Sequence, residues 1–310
     1  MTSEPIKLLP YGLADFWKIQ RDHLYYVDKT RFIPLLEAGA RFVFFIRPRR
    51  FGKSLWLSVL ENYYDLGFKD RFEETFKNTY IGQHPTEERN SYLILMFNFA
   101  MVNPDPRMIN ESFEDAGRSI VEDFLIRYQQ FFPEKERKDI LSLSKTESQL
   151  RRIFLHAARE NLKIYLLIDE YDNFANTILT TAGEQAYREL THGAGFFRYF
   201  FNLLKGATSG RTSGLERLFI TGVSPITMDD VTSGFNIGEN ISLDQQYNEL
   251  LGFCEEDVRD LLAYYKDAGK LTLNVDECLG IMRLWYDQYR FSTKTSPSVY
   301  NSDMVLYFVK

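Results

Sequence analysis

The sequence predicts an α/β fold, a three-layer sandwich with a mostly parallel five-stranded sheet between helices, followed by a small helical lid. Three observations carry this prediction. Apolar runs of strand length recur at Phe42–Ile46, 92–99, 164–168 and 218–223, with a weaker run at 240–243. The runs are continuous rather than alternating, as in strands buried on both faces of a parallel sheet. Helix-period stretches lie between them, and parallel strands need such crossovers.

In chain order, residues 9–30 precede the first strand and are expected to lie against the functional site. Phe16, Ile19, Tyr26 and Val27 are candidates to contact a bound base, and each has a plainer core reading. After the first strand, Lys53–Tyr64 reads as a helix with Leu55, Val59 and Leu60 among its apolar positions. Residues 111–131, 147–160 and the aromatic-rich 196–205 are the next helices. Beyond Asp244 the composition changes. Residues 255–266 and 275–289 read as helices, and Glu255, Glu256 and Asp257 place negative charge where a helix N-terminus favours it. The division expected is a core of residues 1–244, including the N-terminal site segment, and a lid of residues 245–310. The apolar run 303–310 either marks a lid cut short or docks back onto it.

Hydrophobic residues make up 45% of the chain, enough for a sizeable core. A net charge of -6 disfavours a surface that coats nucleic acid. Cys254 and Cys278, with His23, His84, His156 and His192, are scattered, so neither a zinc site nor a Ser-His-Asp triad is argued from them. The N-terminus lacks a secretory pattern, and the apolar runs are too short to span a bilayer. A soluble cytoplasmic protein is the expectation.

The chemistry concentrates at strand ends. Arg47-Pro-Arg-Arg-Phe-Gly-Lys-Ser54 follows one strand and opens a helix, the context of a phosphate-binding loop. Such a loop aims backbone N–H groups and a helix N-terminus at phosphate oxygens. Arg49, Arg50, Phe51, Gly52, Lys53, Ser54 and Leu55 would form the cradle. Lys53 would reach the outer phosphates, and the Ser54 hydroxyl would ligate Mg²⁺. Arg47 stands where the usual pattern has glycine. Arg41, Arg47, Arg49, Arg50 and Lys53 fall in one stretch without an acid, and polyphosphate is the partner that charge suggests; a solvated basic turn is the alternative. The run 164–168 ends in Asp169-Glu170, the Walker B form. Asp169 would hold Mg²⁺ and Glu170 would act as general base, whereas two solvated acids before a helix are the plainer reading. The strand 218–223 ends near Ser224, the candidate catalytic sensor of the terminal phosphate, with Thr221 second. A simple Ser-Pro turn is equally compatible.

With these segments in view, the chain resembles the AAA-ATPase-like family, whose longer members carry a PD-(D/E)xK nuclease-like domain at the C-terminus. The matching segments are Leu9-Pro-Tyr-Gly12, Tyr25-Tyr-Val-Asp-Lys-Thr30, Arg47 to Ser54, Leu166-Leu-Ile-Asp-Glu-Tyr-Asp-Asn-Phe174, Phe219-Ile-Thr-Gly-Val-Ser-Pro-Ile226, Thr232-Ser-Gly-Phe-Asn236, Leu250-Leu-Gly-Phe253, Trp285-Tyr-Asp-Gln-Tyr-Arg-Phe291 and Tyr300-Asn-Ser-Asp303. They span almost the whole chain. The resemblance implies ATP bound by Lys53 and Ser54, with Mg²⁺ and water handled by Asp169 and Glu170. Arg47 in place of glycine is the usual form of the loop in that family. The preference for adenine rests on the resemblance alone.

The expected function is ATP binding with slow Mg²⁺-dependent hydrolysis in a nucleotide switch. The alternatives are a binding module that holds ATP without turnover, and an ATPase partnered with a nuclease domain in a DNA-processing or defence system. A protein partner is expected, nucleic acid only indirectly, and no membrane. Residues 224–240 contain no Arg or Lys, and Asp229, Asp230 and Glu239 make the stretch acidic. An arginine finger from that stretch is therefore missing, and the isolated chain is expected not to form an active hexameric ring. Arg198, Arg211, Arg217 and Arg290 are substitutes, or Arg47, Arg49 or Arg50 supplies charge in cis.

Overall fold

The computed structural model describes residues 5–191, 196–208, 214–224, 237–286, 289–292 and 296–310. Ahead of the sheet, α1 (Phe16–Arg21) is capped by Asp15, whose carboxylate accepts from Lys18 N, and α2 (Ile33–Ala38) leads into β1 (Phe42–Ile46). A tight turn then starts α3 (Lys53–Tyr64). The short helices α4 (Phe72–Phe76) and α5 (Tyr80–Gln83) precede β2 (Leu93–Asn98). Next come α6 (Ile109–Arg127), α7 (Glu134–Leu141), α8 (Thr146–Arg159) and β3 (Ile164–Asp169). After α9 (Asn173–Thr181), α10 (Gly183–Thr191) and α11 (Phe196–Ala207) the chain enters β4 (Leu215–Gly222) and the two-residue β5 (Glu239–Asn240). The helices α12 (Glu255–Asp267), α13 (Val275–Trp285) and α14 (Ser302–Val309) complete it.

The sheet is five-stranded in the order β2-β3-β4-β1-β5, and every pairing is parallel. β1 lies beside β4, with Phe42 opposite Leu218 and Phe45 opposite Thr221. β4 therefore separates β1 from β3. Parallel strands bring all their C-terminal ends to one edge of the sheet, so the loops after β1, β3 and β4 converge there.

Side-chain alternation builds the two outer layers. Val43 and Phe45 of β1 pack with Trp56, Leu57 and Leu60 of α3 on one face. Phe44 and Ile46 pack on the other, with Phe113, Phe154 and Phe200 from α6, α8 and α11. Each fully buried side chain of this size contributes about 1.5–3 kcal/mol relative to exposure. Continuous apolar runs are the sequence image of this double burial.

Some boundaries differ from expectation. β4 begins three residues before the apolar run, because Leu215 is buried and Arg217 finds partners inside the fold. β5 pairs over Glu239–Asn240 only. The expected helix 275–289 stops at Trp285, and Tyr289 instead exchanges both backbone hydrogen bonds with Val299 (2.9 and 2.8 Å). The C-terminal apolar run is α14. Its Val305 joins Val258, Leu261 and Leu262 of α12 and Leu279 and Met282 of α13 in a separate apolar cluster. No helix among the described residues is long and apolar enough to cross a membrane.

Candidate functional site

The loop after β1 is shaped by two left-handed residues, Arg50 (φ 69°) and Gly52 (φ 88°), the second forming the N-terminal boundary of α3. Glycine adopts that conformation freely, whereas Arg50 does so at a cost of about 1–3 kcal/mol that its surroundings must offset. Inside the turn, Lys53 Nζ donates to the carbonyls of Arg47 (3.1 Å) and Pro48 (3.0 Å). One turn of backbone thus wraps a single ammonium. Burial pushes Lys53 down from its ordinary pKa, opposed by the carboxylates of Asp169, Glu170 and Asp172.

The end of β3 comes to the same point. The Ser54 hydroxyl donates to Asp169 Oδ2 at 2.6 Å, and Asp169 Oδ1 accepts from Glu170 N at 2.9 Å. Asp169 is buried, and that burial raises its pKa above the usual carboxylate range, against the hydrogen bond from Ser54 and the charge of Lys53. Among the described residues no group of three or more His, Cys, Asp or Glu side chains gathers to hold a cation. A hydroxyl and one carboxylate are an all-oxygen pair suited to Mg²⁺, which takes its remaining ligands from phosphate and water.

A cavity of about 460 Å³ opens over the loop. Arg49, Arg50, Phe51, Gly52, Lys53, Ser54 and Leu55 all line it, and Glu170 (φ 50°) reaches it from the end of β3. Tyr26 and Val27 of the N-terminal segment form part of the wall, as does Lys29, whose ammonium pairs with Asp257 of α12 at 2.5 Å. Leu250, Leu251 and Phe253 close another side. Asp169 faces a neighbouring cleft of about 430 Å³ that it shares with Ser54 and Asn98.

Several candidates are placed elsewhere. Phe16 and Ile19 are fully buried and do not line the cavity; Phe16 packs on Tyr26 and Phe76. An amphipathic helix turns its largest apolar residues to the core, so they are unavailable to a ligand. Arg47 is also unavailable as a charge in cis. Only 1% exposed, it donates to the carbonyls of Ile46, Ser242 and Tyr247 and lies between the rings of Phe45 and Phe291, at 4.1 and 4.0 Å. It ties β1 to the segment after β5. Arg217, itself buried, sits at the opposite end of β4 from the loop, paired with the half-buried Glu88 (2.7 Å). Arg198 and Arg290 are exposed, and Arg211, Asp229 and Asp230 lie outside the described residues.

The end of β4 is organised by a residue that sequence reasoning missed. The Asp172 carboxylate accepts from Val223 N and Ser224 N, the latter at 2.6 Å, and from Asn176 Nδ2. A side chain at Gly222 would put its Cβ 2.5 Å from Asp172 Oδ1, so glycine is required there. The third acid in Asp169-Glu-Tyr-Asp172 was the available signal. Ser224 is held by its backbone, its carbonyl accepting from Tyr171 Oη at 2.8 Å, and it does not line the cavity. Thr221 stands one residue beyond the Ile168–Ile220 pair, beside Asp169; it is buried, does not line the cavity, and among the described residues its hydroxyl has no hydrogen-bond partner. An unsatisfied buried hydroxyl costs about 1–3 kcal/mol.

A family model described as "AAA-ATPase_like: Predicted AAA-ATPase" matches residues 10–232. A protein of Azotobacter chroococcum mcd 1, described as an uncharacterized protein in the vnfD 5' region, is 29% identical over 314 residues. That match covers 98% of this chain and 52% of the other, so the chain spans about half the length of the curated relative it matches. Among solved structures, Cdc6p from Pyrobaculum aerophilum aligns over 77% of this chain and 48% of that one, with a TM-score of 0.39 and 15% identity.

Proposed function

The chain belongs to the family of predicted AAA-ATPases, and from that premise we propose that it binds Mg-ATP and hydrolyses it slowly, as a nucleotide switch. The observation that carries this reading is the Ser54–Asp169 hydrogen bond at 2.6 Å, which joins the start of α3 to the end of β3 beside a loop-lined cavity. The outer phosphates lie along the loop from Arg49 to Leu55. Lys53 leaves the Arg47 and Pro48 carbonyls to meet them, exchanging two neutral acceptors for charged ones. Ser54 and Asp169 would hold Mg²⁺, which would offset phosphate charge and orient the terminal group.

Glu170 takes a proton from the attacking water. Its position on the cavity wall supports hydrolysis over simple retention of ATP. Neither Thr221 nor Ser224 lines the cavity, and both stand as candidate sensors of the terminal phosphate: Thr221 is buried beside Asp169, and Ser224 is fixed through its backbone by Asp172. Arg198 and Arg290 are exposed, and among the described residues none of the candidate cations beyond the loop lines the cavity, which supports slow turnover in the isolated chain.

Phosphate release by wild type and Glu170→Gln tests this reading. Loss of a general base is expected to slow turnover about 10²–10⁴-fold while leaving affinity for a non-hydrolysable ATP analogue nearly unchanged. Equal rates from the two proteins would remove Glu170 from the mechanism.

A further inference from the structure

We propose that Asn301, Ser302 and Asp303, together with the backbone of Gly252, are positioning residues that aim the phosphate-binding loop; the inference rests on the reading of that loop given above. Five consecutive carbonyls of the loop are occupied. Arg47 O and Pro48 O accept from Lys53 Nζ. Arg49 O accepts from Asn301 Nδ2 at 3.1 Å. Arg50 O accepts from Ser302 Oγ at 3.1 Å and Asp303 N at 3.3 Å. Phe51 O accepts from Gly252 N at 3.2 Å.

The consequence follows from peptide geometry. In a planar trans peptide the carbonyl and the following N–H point in opposite directions. Holding the carbonyls of Arg49, Arg50 and Phe51 against the lid therefore turns the N–H groups of Arg50, Phe51 and Gly52 the other way. None of these three donates to another described residue, and all three residues line the cavity. A run of backbone donors left without partners is an anion-binding concavity. Here it is not made by the loop alone: the acceptors that would otherwise compete with it are held by residues 200 or more positions later in the chain.

The chemistry of Asn301 suits this task. Its Oδ1 caps α14, accepting from Asp303 N (3.2 Å) and Met304 N (3.4 Å), while its Nδ2 holds the loop. A carboxylate would keep the first role and lose the second. Arg50 reinforces the contact through its pair with Asp303 at 3.5 Å, and Phe51 is clasped edge-on by the rings of Tyr289 and Phe291, at 4.9 and 5.4 Å. Linkage makes the effect reciprocal: phosphate on the loop favours the docked α14, so nucleotide occupancy is reported to the C-terminal helix.

The test is calorimetry on the whole chain with a non-hydrolysable ATP analogue and, separately, adenosine. Asn301→Asp keeps the cap of α14 and puts an acceptor against Arg49 O. It is expected to lower the thermal midpoint of the ligand-free protein, and in the folded protein to weaken the analogue about tenfold while leaving adenosine binding unchanged. Ser302→Ala, which removes one hydroxyl from a half-buried position, is expected to weaken the analogue about threefold with adenosine again unaffected. Wild-type affinity for the analogue in both variants, or equal losses for analogue and adenosine, would overturn the positioning role. A wild-type protein that binds adenosine but gains nothing from the phosphates would instead overturn the reading of the loop itself, and this inference with it.

Discussion

At the scale of single residues, the site is defined by buried charges held in advance of a ligand. Asp169 shows the consequence for stability. Burial raises its folded-state pKa above the unfolded value. Such a carboxyl favours folding while protonated, and that contribution is lost as pH rises through the folded pKa. At neutral pH the ionised group therefore destabilises the ligand-free chain. Asp169→Asn is expected to raise the ligand-free thermal midpoint by about 2–4 °C at pH 7, with the gain shrinking as the pH falls through the folded pKa. The same variant is expected to lose the effect of Mg²⁺ on analogue binding. Thermal melts across pH, with and without Mg²⁺ and analogue, check both halves. The acids, the lysine and the serine of this site were legible in the sequence because their spacing from strand ends is a local property. Arg47 was read as a site charge, and the reason it is not lies 195 residues and more away, at the Ser242 and Tyr247 carbonyls. Thr221 and Asp172 gain their significance from strand register, which a linear pattern does not contain.

At the scale of elements, the strands were the most readable part of the chain, since burial on both faces leaves an unbroken apolar run. The departures have physical causes outside the run. β4 extends back through Arg217 because its guanidinium is satisfied: it donates to both oxygens of Glu88 and to Glu37 O. The helix predicted to Tyr289 ends early because Tyr289 pairs with Val299, a contact between chain segments that helical periodicity cannot foresee. The short helices α1, α2, α4 and α5 have too few turns to show a period, and tertiary packing stabilises them. The Arg217–Glu88 pair invites a direct test. Arg217→Ala removes the ion pair from the half-buried Glu88, which keeps its hydrogen bond from Tyr92 Oη, and leaves the Leu36 and Glu37 carbonyls without this donor. It is expected to cost about 1.5–3 kcal/mol in denaturant unfolding, while analogue affinity in the folded protein stays at the wild-type value. A loss of affinity without a loss of stability would return Arg217 to the list of functional cations.

At the scale of the whole molecule, the cavity is a junction of three distant parts of the sequence. The N-terminal segment supplies Tyr26, Val27 and Lys29, the loop supplies its donors, and the stretch before α12 supplies Leu250, Leu251 and Phe253. The Lys29–Asp257 pair and the Asn301 contact with the loop connect these parts across more than 200 residues. A ligand touching all three parts would change their relative stability together. We propose that this junction is a Mg-ATP site whose phosphates are held by Lys53. Calorimetry with a non-hydrolysable ATP analogue and Mg²⁺ on wild type and Lys53→Ala is the decisive measurement. Wild type is expected to bind measurably and the variant to lose about tenfold to a hundredfold in affinity, the cost of removing a charged donor to phosphate. Equal affinity in the two proteins would mean that the phosphates do not lie on this loop.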